Sequence, residues 1–131
     1  MRGLRLFVRP IEPADHEAVN AFLEREFLPP TANRQPPTDP PACGLLGKLL
    51  GEIVAVVAMD FTVDALRVDA IVVASELRRK WIGRVMMREV EQLASKMDRR
   101  RVVVEDPRDA QEFFRRVGFE SEGERWVRLV S

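Results

Sequence analysis

Leu4–Arg9 alternates apolar and basic residues, the period of two expected of a strand. Pro10 and Pro13 end it. Pro13 suits a first helical position, and Asp15 and Glu17 favour the first turn of a helix that continues through Val19, Phe22, Leu23 and Phe27. Pro29–Pro41 holds six of the nine prolines and fits neither helix nor central strand, so it reads as an excursion over the surface. Cys43–Leu46 and Glu52–Phe61 read as strands joined around Gly47–Gly51. The second of them is apolar on both faces, as a strand covered on two sides must be. After a turn at Thr62–Asp64, Leu66–Ala74 is a further strand. From Ile82 the period becomes helical, through Val85, Met86, Val90, Leu93 and Met97. Arg101–Val104 returns to strand. Asp106 as N-cap and Pro107 behind it start a short helix with Phe113, Phe114 and Val117 on one face and Gly118 at its end. Phe119–Ser131 fits a strand pair turning near Gly123. The order β-α-β-β-β-α-β-α-β-β sets a helical crossover beside an antiparallel meander, which implies a mixed sheet of α/β character.

Length and composition narrow the picture. A chain of 131 residues, 46% hydrophobic and 32% charged, reads as one globular domain spanning 1–131. The longest unbroken apolar run, Ile53–Met59, is far short of the roughly 20 residues a membrane helix needs. The first ten residues contain no block suited to a secretory signal. Cys43 is the sole cysteine and His16 the sole histidine, which argues against a disulfide framework and a metal centre and for a reducing cytoplasm. Tyrosine is absent altogether.

Net charge is zero, yet Arg78–Arg101 carries nine basic and three acidic residues. A balanced chain with one basic segment suits a local anionic ligand better than general nucleic-acid coating. Nucleic acid remains a distant third reading, resting on that segment alone, and a solvated helix face is the plainer explanation of any charge run.

The informative stretch is Ile71-Val-Val-Ala-Ser-Glu-Leu-Arg-Arg-Lys-Trp-Ile-Gly-Arg84, a strand running into a helix. Unpaired amides and the positive dipole end of the helix make such a junction an anion cradle. Arg78, Arg79, Lys80 and Arg84 add side-chain charge suited to a pyrophosphate. Neither a P-loop nor a dinucleotide fingerprint is present, because the required glycines and the Gly-Lys-Ser/Thr triplet are missing.

Arg78-Arg-Lys-Trp81-Ile-Gly83-Arg84 resembles motif A of the GNAT superfamily, the Gcn5-related N-acetyltransferases. Ala110-x-x-x-Phe114-x-x-x-Gly118-Phe119 is similar to the family's motif B, and the element order matches over nearly the whole chain. The resemblance implies a mixed central sheet splayed at the fourth strand with flanking helices. It implies acetyl-CoA as cosubstrate, with no metal. Ile71, Val72 and Val73 would meet the pantetheine arm as an added strand would. The loop from Arg78 through Arg79, Lys80, Trp81, Ile82 and Gly83 to Arg84 would hold the pyrophosphate, and Phe114 would line the same site. An amine of a small molecule or peptide would attack the thioester directly. The implied partners are acetyl-CoA and that acceptor, without membrane or nucleic acid; a homodimer is left open.

Several positions depart from the family pattern. Trp81 and Arg79 stand where glycine is common, and Pro107 where many members have Asn. Phe114 occupies the place of the tyrosine held to protonate the leaving thiolate. Loss of a general acid typically costs about 10²–10⁴ in rate, less for a leaving group as acidic as a thiol, whose pKa is about 8.5. These departures keep open a second reading, a catalytically degenerate CoA-binding or protein-binding regulator.

Asp69 lies in an apolar strand. By alternation it would share a face with Arg67 and Ile71, where some family members place a catalytic glutamate. It is the candidate general base, against the alternative of an ion pair with Arg67. Glu105 at a strand end and Glu52 after a turn are weaker candidates. His16 reads as exposed surface, Cys43 as small and buried, and Met86, Met87 and Met97 as core filling.

Overall fold

A computed structural model describes residues 5–27, 44–77, 81–105 and 111–130. Strand β1 (Phe7–Pro10) leads through a 3-10 turn (Pro13–Asp15) into helix α1 (His16–Phe27). Strands β2 (Gly44–Leu49), β3 (Glu52–Phe61) and β4 (Ala65–Val73) follow. A second 3-10 turn (Ser75–Leu77), helix α2 (Ile82–Lys96), strand β5 (Arg101–Glu105), helix α3 (Gln111–Arg116) and strands β6 (Glu120–Glu122) and β7 (Arg125–Leu129) complete the order. Pro29–Pro41, Cys43, Arg78–Lys80 and the Asp106–Pro107 helix start lie outside the described residues.

The seven described strands form one sheet in the order β1-β2-β3-β4-β5-β7-β6. Every pair is antiparallel except β4–β5, which α2 joins as a crossover. The mixed sheet expected from the element order is present.

Val54, Ala55, Val56 and Val57 are all buried, so β3 is covered on both faces. The α2 side is fixed at Gly47, which pairs with Ala55 and whose absent Cβ would lie 2.9 Å from the Met86 sulfur. The buried residues Ile82, Met86, Met87, Val90 and Ala94 recur at helical spacing and seat α2 there. Helix α1 presents Val19, Phe22 and Leu23 to the core and packs on β3 and β4. Met97 departs from the core reading: it is the C-cap of α2 and half exposed, one position beyond the helix's last turn.

Strand β2 runs further than its sequence implies, through Gly47 to Leu49. The join is only Leu50-Gly51, with φ of 53° and 83°. Two consecutive positive φ values make the twisted two-residue hairpin turn. Glycine adopts that backbone freely, whereas the preceding position is filled by an exposed leucine.

Candidate active site

The site is built where β4 and β5 part. Their parallel pairing runs from Ala65↔Arg101 to Val68↔Val104 and stops. Glu105 continues on β5 opposite Arg125 of β7, while β4, among the described strands, continues beside β3 only. No described strand fills the gap. A sheet that forks leaves backbone groups directed into the opening, where an extended ligand can pair with them.

The β3–β4 register shifts between Ala58↔Ala70 and Met59↔Val68, so Asp69 is an extra residue in a β-bulge. Cross-strand partners share a face. Arg67, opposite Asp60, and Ile71, opposite Val57, therefore lie on opposite faces. The expectation that Asp69 shares one face with both is corrected by this bulge. The Asp69 carboxylate is 48% exposed and accepts a hydrogen bond from Arg67 Nε at 3.0 Å. Arg67 also reaches Asp60 at 3.4 Å. The expected ion pair is thus present. Its contribution to stability is small, about 0–1 kcal/mol for an exposed pair.

Beyond the bulge, the Ala74 N–H donates to the Val54 carbonyl at 2.8 Å. In an antiparallel ladder, hydrogen-bonded pairs recur at every second residue. Ala70 and Val72 therefore turn their N–H and C=O groups to β3, and Ile71 and Val73 turn theirs toward the side that β5 has left. Val72 contributes a buried side chain to the core.

Helix α2 is the next helix after this opening, starting at Ile82 after β4 ends at Val73. The Val85 N–H closes its first turn on the Trp81 carbonyl at 3.0 Å. The amides of Ile82, Gly83 and Arg84 precede it and have no place in the helical ladder. Trp81 is the N-cap, makes no side-chain capping bond, and is 46% exposed. The Ile82 side chain is buried, so only its backbone faces the site; the Arg84 side chain is exposed. Arg78, Arg79 and Lys80 fall outside the described residues.

Gly83 is pressed by a neighbour. A Cβ there would meet the Phe113 ring at 3.0 Å. Phe113 stands edge-on to Phe114 (centroids 5.1 Å, 75°), and Phe114 edge-on to Phe119 (5.3 Å, 71°). Phe114 is 2% exposed and belongs to this aromatic stack, which holds α3 against the start of α2.

The remaining candidates separate. Glu105 is exposed at the fork, in a recess lined with Glu122, Glu124 and Arg125. Glu52 is exposed at the start of β3, and His16 is exposed at the start of α1. Of the basic segment, Arg84 lies at the first turn of α2 while Arg99–Arg101 lie beyond its other end, and the 15-residue helix is roughly 22 Å long. Arg99 donates to the Thr62 carbonyl and lies over Phe61, and Arg101 pairs with Asp64. The described basic residues therefore form no single patch.

Sequence reasoning passed over Glu26. Its side chain is 3% exposed, and its Oε1 accepts the Ser75 N–H at 2.8 Å, just past the end of β4. The signal was present: Val19, Phe22, Leu23 and position 26 form one helical stripe, and an acid on an apolar stripe demands a partner.

The family model described as an acetyltransferase (GNAT) domain matches residues 17–128. The chain belongs to the GNAT acetyltransferase family. No curated protein matches it. Among solved structures, the ribosomal-protein-S18-alanine N-acetyltransferase of Escherichia coli is similar at TM-score 0.76 and 13% identity, with 97% of this chain and 95% of that one covered. Nourseothricin acetyltransferase is similar at TM-score 0.77 and 17% identity, covering 96% and 99%. A GNAT family N-acetyltransferase of Escherichia coli in complex with CoA gives 0.74 and 17%, covering 100% and 84%. At these identities the likeness is one of fold, and the parted fourth and fifth strands are part of this GNAT chain's sheet.

Proposed function

We propose that this chain is an acetyl-CoA-dependent N-acetyltransferase that moves an acetyl group to an amine of a small molecule or peptide by direct attack. The observation that carries the reading is the fork itself, with Ile71 and Val73 directing backbone groups into it beside the uncapped start of α2. An amide-bearing arm can add there as a short strand. The Ile82, Gly83 and Arg84 amides, with the positive end of the helix, suit the pyrophosphate. Arg78, Arg79 and Lys80 would add charge to that end, with Trp81 flanking it. The sole cysteine accords with a reducing cytoplasm as the setting.

Acetyl-CoA supplies the activated thioester. The residues of the chain must deliver a neutral amine, because an ammonium has no lone pair. An alkyl amine with a pKa near 10.4 is free base in only about 1 molecule in 2,500 at pH 7. Asp69, placed by the bulge at the fork and half exposed, would take that proton directly or through water. Phe114 offers no proton to the leaving sulfur. Solvent would protonate the thiolate, or the basic end of α2 would hold it as the anion.

The buried Phe114 and the absence of tyrosine favour a second reading, a regulator that binds CoA without turnover. Two measurements separate the readings. Acetyl-CoA at 100 times its Kd should stabilise the fold by about 2.7 kcal/mol in a thermal melt, and a panel of amines and peptides should yield an acetylated product. Stabilisation with no product from any amine would establish the regulator, and an unchanged melt at millimolar acetyl-CoA would remove both.

A further inference from the structure

Glu26 stands at the end of α1, on the stripe that buries Val19, Phe22 and Leu23. A carboxylate in that position is costly unless hydrogen bonded, and a leucine or methionine would pack there without that cost. Its partner is a specific one. Ala74 is still tied to β3 through its N–H on Val54, and Ser75 is the first residue to leave the sheet. The Ser75 N–H donates to Glu26 Oε1 at 2.8 Å, while Oε2 lies 3.5 Å from Arg25 Nε. Ser75 opens the 3-10 turn through which the chain leaves the fork for α2. Helix α1 thus grips the segment joining the two halves of the proposed cosubstrate site at the point where that segment starts.

We propose that Glu26 is a positioning residue for acyl-CoA binding: its buried carboxylate fixes the departure of the chain at Ser75 and so aligns the fork-facing edge of β4 with the amides of α2. The inference rests on the acetyl-CoA reading above. Glu26 touches no reacting atom. Its hold on the chain at the Ser75 amide is what matters here, so its loss registers in cosubstrate affinity and KM while kcat at saturation stays close to the wild-type value.

The test is calorimetric titration of free CoA into the full chain. Glu26→Ala should raise the Kd for CoA about tenfold, the worth of one hydrogen bond to a charged group. Glu26→Gln keeps an acceptor oxygen at the same reach and should stay within about threefold, since a neutral acceptor bonds more weakly. Ser75→Pro removes the donor at a first helical position, where proline fits, and should reproduce the Glu26→Ala loss. The double variant should lose no more than either single one. Val19→Ala loosens the same helix without touching the carboxylate and should lower Tm with the Kd unchanged. If Glu26→Ala lowers Tm but binds CoA as the wild type does, Glu26 is structural only and the proposal is overturned. If Glu26→Ala does not fold, Ser75→Pro decides the matter, and wild-type affinity there overturns it equally. Failure of the wild-type chain to bind CoA is a separate result that removes the acetyl-CoA reading itself.

Discussion

Asp69 shows what one extra residue does. As a regular strand residue it would be interchangeable with its neighbours in direction. The bulge gives it a place of its own at the fork, where Arg67 donates to its carboxylate. Asp69→Asn should lower kcat by about 10²-fold or more while the Kd for CoA is unchanged, as steady-state rates on a true acceptor with parallel CoA titrations will reveal. Full activity of the variant would make the residue structural. A second residue-level device holds β1 to the start of α1. Arg9 donates two hydrogen bonds to Asp15, at 2.7 and 2.8 Å, and the Glu12 N–H adds a third at 2.7 Å. The Arg9 guanidinium, first among these, holds the Asp15 carboxyl well below the usual carboxylate range. A lowered folded-state pKa means stability that is present above the unfolded value of about 3.9 and lost as pH falls below it. Asp15→Asn should therefore melt lower than wild type at pH 7, and the gap between the two should close in melts taken progressively below about pH 4. A gap that stays constant down to pH 2 would show that charge is not the cause.

At the scale of elements, most of the order was legible because each segment carried an unmistakable period. The α2 stripe from Ile82 is an example, and the apolar run of β3 is another. What escaped was register. Alternation along 66–74 gives no hint of the bulge, because Asp69 fits the polar slot of a regular strand as well as it fits a bulge. The Leu50-Gly51 turn escaped because leucine is a poor marker of positive φ. Gly83 was legible as a special position, but its closest constraint is steric: the Phe113 ring sits where a Cβ would go. Gly83→Ala gains up to about 1 kcal/mol of helix propensity against an overpacking cost of about 1–3 kcal/mol. The ring is held edge-on by buried Phe114 and has little room to yield, so the loss should win. Denaturant melts should show net destabilisation of about 1 kcal/mol, and a more stable variant would mean that Phe113 moves freely.

At the scale of the whole molecule, the family was readable from the spacing of Arg78, Gly83, Phe114 and Gly118-Phe119, and the family model spans residues 17–128. The fork was implied only through that resemblance, since parting strands are a relation between segments far apart in the chain. Glu26 was missed for the same reason: its partner Ser75 is 49 positions away. The basic segment read as one feature in sequence, yet α2 holds Arg84 apart from Arg99–Arg101. The proposed function requires acetyl-CoA in the fork between β4 and β5, against the start of α2. Titrating acetyl-CoA into ¹⁵N-labelled protein and following the backbone amides tests it most directly. Saturable shifts should be largest at Ile71, Val73, Ile82, Gly83 and Arg84, with Arg101 and Leu129, paired at the end of β5 away from the fork, unmoved. Unmoved amides at Ile71 and Gly83 under millimolar acetyl-CoA, or shifts centred elsewhere, would contradict it.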